Sequence, residues 1–199
     1  MEILNHLWNQ SRVGVGWAIG RITAIGMAMV LGLCLATASS PEQPFDEYQV
    51  KAAFLYNFPK FVQWPAETFQ TAAEPLAICV VGQDPFGRSL ADTVAGRAIE
   101  GRSLVVRHIP NVKQAAGCNV LFIGAAEYKP SLPALAELKP GILTVGESGA
   151  SGAAGLVINF RVDDGKVGFD INVGVADREK LQISSRLLSL AHSVESGHK

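Results

Sequence analysis

Two adjacent carboxylates, Asp163 and Asp164, are the first residues whose types and spacing could do chemistry. A carboxylate pair can divide the roles of acid and base. These two, however, sit in Asp163-Asp164-Gly165-Lys166, where aspartate is favoured because it stabilises a turn backbone. The flanking polar set, Asn159, Arg161, Asp170 and Asn172, is the better candidate for recognition, its alternative being a solvated sheet face. Histidines 108, 192 and 198 lie at no metal-ligand spacing from one another. There is no G-x-S-x-G elbow for a serine nucleophile. Gly149-Ala-Ser-Gly152-Ala-Ala-Gly155 could cradle an anion, yet it leads into a strand and reads as a flexible turn. Gly14-Val-Gly16 lacks the strand-turn-helix setting of a dinucleotide site. These residues call for no catalysis, no metal and no cofactor.

The cysteines carry a firmer message once the start of the chain is read. Arg12 and Arg21 precede an uncharged run from Ile22 to Ala36, and Ala36-Thr37-Ala38 follows it. A basic flank, an apolar stretch and an A-x-A site are the three parts of a secretory signal peptide. The run falls short of the roughly 20 residues a spanning helix needs. Residues 1–38 are therefore read as a cleaved signal peptide and 39–199 as one exported domain, the alternative being an uncleaved inner-membrane anchor. Cys34 leaves with the leader, so Cys79 and Cys118 remain as an even pair in an oxidising compartment. Such a pair reads most simply as a disulfide, against two unrelated buried thiols. The whole chain has 17 basic and 18 acidic residues. A clustered basic surplus, the footprint of a nucleic-acid binder, is missing.

The elements that must position these residues follow from periodicity. Asp46 can cap a helix over which Val50, Phe54, Phe58 and Phe61 recur at helical spacing, with Trp64-Pro65 as its end. Pro59 should kink the last turn. Leu55, Tyr56, Val62 and Trp64 lie off that stripe, so the helix is either covered all round or offers a partner surface through residues such as Tyr56 and Trp64. Leu76–Gly82, Ser103–Ile109, Asn119–Gly124 and Ile142–Val145 read as strands, the first covered on both faces. Helices are expected from a cap at Asp84 to Gly96 and from Ser131 to Leu138. Strands alternating with helices imply a largely parallel sheet. Asp164-Gly165 is a favoured hairpin turn, and it sets Val162 opposite Val167, Phe160 opposite Phe169 and Ile158 opposite Ile171. A last helix, capped at Ser184 or Ser185, carries the stripe Leu187, Leu188, Ala191 and Val194.

Five stretches stand in a telling order: "YQVKAAFLYNFPKFVQWP", "ICVVGQDPFG", "GCNVLFIG", "GLVINFRVDDGKVGFDIN" and "LQISSRLLSLA". Together they resemble the YfiR-like family of exported proteins. The resemblance implies a single α/β domain with a mixed, mostly parallel sheet flanked by helices, ending in an antiparallel hairpin and a helix. It also implies a non-catalytic periplasmic regulator, like the family member that represses an inner-membrane diguanylate cyclase by direct contact. An outer-membrane lipoprotein that relieves the repression, and a homodimer, are the further partners it suggests. Cys79 and Cys118 match one of that repressor's two disulfides, whereas Ser148–Gly155 has no cysteine where the other would fall. Pro59 departs from the family pattern. The rival reading is a periplasmic small-molecule sensor with a crevice near Gly82–Gly87, at the carboxyl end of the first strand.

Protein recovered from the periplasm should have the intact mass of a chain that starts at Ser39. Full-length protein retained in the membrane fraction would overturn the leader assignment.

Overall fold

Asp46 begins the described domain by capping: its carboxylate accepts from Tyr48 N at 3.1 Å and Gln49 N at 3.2 Å. The helix that follows, α1 (Glu47–Asn57), buries Lys51, Ala52 and Leu55. The computed structural model describes residues 46–149 and 153–196, so the leader assigned to 1–38 lies outside the described residues. The buried face of α1 is rotated from the one expected. Leu55 and Val62, read as off the stripe, are core, whereas Val50, Phe54 and Phe61 are half-buried at its flanks. Pro59 is the reason. It cannot donate to Leu55, so the chain tightens into a 3₁₀ turn over Phe58–Phe61 and then extends as β1 (Val62–Gln63). No single helical period survives to Trp64.

β2 (Leu76–Val81) is buried at every position. Side chains alternate along a strand, so Leu76, Ile78 and Val80 enter one core and Cys79 and Val81 the other. After it come α2 (Ser89–Val94), β3 (Ala98–Ile99), β4 (Arg102–Ile109), β5 (Val120–Ile123), α3 (Ala125–Leu135) and β6 (Leu143–Gly146). The C-terminal third holds β7 (Ile158–Asp163), β8 (Lys166–Asn172), α4 (Val173–Arg178), β9 (Gln182–Ile183), α5 (Ser185–Leu188) and β10 (Ser193–Glu195). Among the described residues, one sheet runs in the order β10-β8-β7-β6-β5-β2-β4-β3. β2, β4, β5, β6 and β7 are mutually parallel where they pair, while β8 returns antiparallel to β7. Numbered along the chain, the parallel strands lie in the doubly wound order 2-1-3-4-5. Helices α1, α2, α4 and α5 cover one face and α3 the other.

The Cys79–Cys118 disulfide is present, with its Cα atoms 5.8 Å apart. It ties β2 to the residue pair leading into its neighbour β5, on the α3 side. Three expected elements differ. The helix expected from Asp84 starts only at Ser89: Gly87 has φ +55°, and Asp84 Oδ1 accepts from Phe86 N at 2.8 Å to make a turn instead. Helix α3 starts at Ala125 and runs through Pro130 and Pro133. Both prolines are exposed, so the carbonyls they leave unpaired sit on the solvent side, where water can serve them. The long C-terminal helix is replaced by α5, one turn capped by Ser184, and by β10. β10 pairs parallel with the outer edge of β8, a backbone partner that a helix there would leave open.

The hairpin register is the expected one: Val162↔Val167, Phe160↔Phe169, Ile158↔Ile171. Asp164 and Gly165, at φ +48° and +72°, have the two positive values a type I′ turn requires. Phe160 and Phe169 then meet Phe54 and Phe58 in an aromatic cluster whose centroids lie 5.0–6.0 Å apart.

Leu55→Ala should cost about 2–5 kcal/mol in chemical denaturation, as a truncation in a closed core does, and Val50→Ala much less. Equal losses would mean that the buried face of α1 is wrongly assigned.

Candidate functional site

Past Gly146, β7 continues without β6. Their pairing stops at Gly146↔Asn159, whereas β8 stays with β7 as far as Asp163↔Lys166. The distal hairpin thus projects beyond the carboxyl end of the parallel sheet. Among the described residues no strand pairs with the β6-side edge of residues 160–163. Between that edge, the loop at Glu147–Gly149 and the first turns of α1 lies a cleft of about 330 Å³. Glu47, Lys51, Glu147, Arg161, Asp163 and Asp170 supply its charged lining.

Lys51 is the central cation and is only 2% exposed. A charge that deep needs partners, because desolvation otherwise costs several kcal/mol. It has two: Glu47, one turn earlier on α1, and Glu147, at 2.8 Å. Tyr48 Oη donates to the second oxygen of Glu147 at 3.2 Å. Burial, then the Glu147 charge, pushes the Tyr48 phenol up to about 12. Lys51 Nζ also stands 4.7 Å from the Tyr48 ring centre and 5.8 Å from that of Phe160.

A second knot holds the hairpin. Asp170, 5% exposed, accepts from Ser193 Oγ at 2.6 Å and pairs with Arg161 at 3.5 Å. Arg161 also pairs with Asp163 and holds that carboxyl below its usual range. Four carboxylates face two cations here, and an extended segment with a basic side chain would match both the surplus charge and the open strand edge.

Of the expected recognition residues, Asn159, Arg161 and Asp170 come together at this cleft. The root of their face is not solvated: the β6–β7 loop covers Asn159, whose Oδ1 accepts from Ser148 N at 2.9 Å, and β10 covers Asp170. Asn172 does joint work instead. Its Oδ1 caps α4 at Val175 N, 2.9 Å away, and its Nδ2 donates to Glu195. Tyr56 and Trp64 do not line the cleft. Lys60 Nζ lies 3.7 Å from the Tyr56 ring centre and the Arg97 guanidinium 4.8 Å from it. These two cations, Lys60 first, pull the Tyr56 phenol below its usual range. Trp64 is half-buried, edge-on to Phe69 at 6.1 Å, and its indole N–H is buried without a hydrogen-bond partner.

The crevice at Gly82–Gly87 is occupied by the protein's own side chains. Phe86, 4% exposed, packs edge-on against Phe122 at 4.7 Å and Tyr48 at 5.4 Å. A Cβ on Gly82 would meet the Glu127 carboxylate at 2.6 Å, so that group already sits against the first-strand loop. His108 Nε2 lies 3.0 Å from Asp84 on the same rim. Asp163 and Asp164 are exposed at the hairpin tip. Residues 150–152 of the glycine-rich stretch and His198 lie outside the described residues. Among the described residues, no three His, Cys, Asp or Glu side chains are grouped to hold a metal.

Sequence reasoning missed Lys51, Glu47, Tyr48 and Glu147. One signal was present: Lys51 stands four residues before Leu55 and four after Glu47, a charge on the buried face with its partner one turn away.

Fold and cleft together define a doubly wound α/β domain with a projecting hairpin, its cleft built from mutually paired charges. The YfiR/HmsC-like family model matches residues 48–192, from α1 to the residue before β10. The chain belongs to that family, which is known in cyclic di-GMP regulation and is generally regulatory without catalysis. No curated protein matches it. It is similar to a solved structure described as a conserved domain protein from Vibrio cholerae O1 biovar eltor str. N16961, at 14% identity and a TM-score of 0.47. That likeness covers 75% of this chain and 60% of the Vibrio chain. No helix among the described residues is long and apolar enough to cross a membrane.

Their different surroundings make the three tyrosines distinguishable. In an ultraviolet absorbance titration Tyr56 should ionise first, then Tyr128, raised by burial, and Tyr48 last, near pH 12. Tyr48 is raised above its unfolded value of 10.0. The stability it carries should thus be complete below pH 10 and lost as pH climbs through about 12. Tyr48→Phe should remove the last step; three tyrosines titrating as one would contradict this arrangement.

Proposed function

We propose that this chain is a periplasmic, non-catalytic regulatory protein that binds and restrains a membrane-bound signalling enzyme, the first candidate being a diguanylate cyclase. Its output would be cyclic di-GMP level and, through it, biofilm formation. The observation that carries this reading is membership of the YfiR/HmsC-like family across nearly the whole domain. The disulfide supports an oxidising compartment, since such bonds persist outside the cytosol. The charged groups at the cleft are engaged with one another, an arrangement that holds geometry. An inner-membrane sensor joined to a cyclase is the partner proposed, with an outer-membrane lipoprotein or a second copy of this chain competing with it for binding to this protein.

The contact surface proposed is the end of α1 and the segment after it. Tyr56 lies there beside Lys60 and Arg97, Trp64 is edge-on to Phe69, and Arg102 stacks 3.8 Å from the Phe69 ring centre. Tryptophan, tyrosine and arginine are the residues most enriched where interfaces concentrate their binding energy. A basic aromatic surface of this kind suits an acidic partner face.

The natively exported protein, used as bait on solubilised inner membrane, should capture a protein with a cyclase domain. Trp64→Ala should weaken that capture about tenfold or more while the denaturation midpoint moves little. If Trp64 serves only as core, the same change costs roughly 3–5 kcal/mol of stability and leaves affinity intact. That result would remove the contact surface; capture of no signalling enzyme at all would sink the function.

A further inference from the structure

Phe160 packs in the α1 core, so along β7 Val162 points the same way, and Asn159, Arg161 and Asp163 point to the opposite face. The charged cleft touches both sets, so it runs round the free edge of β7 instead of lying on either face. The main chain is open there too. Phe169 gives its carbonyl to His192 N at 2.8 Å, on the β10 side, so its partner Phe160 turns the other way, out from the hairpin. Val162, two residues on, faces out likewise. The last rung with β6, Gly146↔Asn159, serves the Phe160 N–H and no group beyond it. Among the described residues, the Phe160 carbonyl and both main-chain groups of Val162 have no strand partner on this side. Val162 is 44% exposed, an apolar side chain at an unpaired edge.

Charge divides by face in the same way. On the α1 side Glu47 and Glu147 flank Lys51, and on the other Asp163 and Asp170 flank Arg161. Each face thus keeps a surplus of one negative charge. Glu47 and Asp163 are the accessible members, with side chains 38% and 56% exposed. Successive residues of an added strand point to opposite faces, so two adjacent basic residues would supply one cation to each. We propose that this cleft is a docking site for an extended segment of a partner protein with two adjacent basic residues. The segment adds as a short strand along Phe160–Asp163 and sets one cation beside Glu47 and the other beside Asp163. Main-chain bonds to the edge supply affinity, and the placement of the two cations supplies selectivity. The same edge of a second copy does not fit, because it brings the same negative surplus. Nor do residues 39–45, which lead into α1: they hold Glu42 and neither lysine nor arginine, and Pro41 and Pro44 lack the N–H a strand donates. This site is separate from the basic aromatic surface after α1, and it stands whether or not the partner there is a cyclase.

The probe is the peptide acetyl-TVKKVT-amide, titrated into the exported protein with its disulfide intact. Calorimetry should show saturable one-to-one binding. At saturation the Val162 amide, open in the free protein, should exchange its hydrogen more slowly. Acetyl-TVEEVT-amide should not bind, and main-chain N-methylation of the probe at both lysines should abolish binding in either register. Acetyl-TKVKVT-amide, with both cations on one face, should bind about two- to fivefold more weakly, the loss of one exposed ion pair. Val162→Pro removes the edge N–H, leaves the bonds to β8 in place, and should weaken the probe about tenfold with the far-ultraviolet spectrum unchanged. Glu47→Gln and Asp163→Asn, which keep the main chain intact, should each weaken it about two- to fivefold. Equal binding of the acidic peptide, undiminished binding of the N-methylated one, or an unprotected Val162 amide at saturation would overturn the site. So would the absence of saturable binding.

Discussion

The burial of β2 and β5 on both faces is the constraint on which the rest of the structure depends. Leu76, Ile78, Val80, Val120 and Phe122 point into one core, and Cys79, Val81, Leu121 and Ile123 into the other. A sheet with two apolar faces needs a layer on each, and short crossovers between parallel strands deliver helices to both. Helix α1 is the main cover on one side and α3 on the other. The disulfide reinforces this centre, bridging the strand pair on which both layers rest.

The hairpin extends that constraint to the cleft. Its apolar face, Ile158, Phe160, Phe169 and Ile171, is committed to the α1 core. A slip of one residue would reverse every side chain, so its opposite face must carry Asn159, Arg161 and Asp170. Those groups would be a liability if buried alone. The loop at Ser148, the Arg161 guanidinium and Ser193 of β10 each satisfy one of them. Lys51 follows the same logic from α1: it is held between two carboxylates where an apolar residue would pack as well. Replacing such pairs with hydrophobic residues is often neutral or stabilising, so the ionic cleft costs stability that the fold alone does not require. That cost is the physical reason to look for a role at this edge.

Two surfaces of different chemistry therefore flank one helix. The cleft at its start is acidic in excess, and the segment after its end is basic and aromatic. Surfaces that differ in this way favour partner faces of opposite sign, because charge complementarity orients a partner more than it tightens binding.

Sequence by itself determined β2, β4, β5 and β6, the hairpin turn and its register, because these rest on local rules: apolar runs and alternation mark a strand, and Asp164-Gly165 tolerates positive φ. It also determined the cysteine pairing, since Cys79 and Cys118 are the only cysteines beyond residue 38. Tertiary structure decided which face of α1 is buried. Val50, Phe54 and Phe61 and Ala52, Leu55 and Val62 are both apolar sets, and the packing of α1 on the sheet together with the turn at Pro59 decides which of them is closed over. It also decided the C-terminal end, where Ser193–Glu195 has the makings of a helix but finds an open strand edge at β8. The cleft belongs to the same class. Lys51 and Glu147 lie far apart in the chain, and their ion pair exists only because the sheet carries the β6–β7 loop to the first turns of α1. Charge pairing across such distances has no period to read, whereas a turn or a strand carries its instruction in adjacent residues.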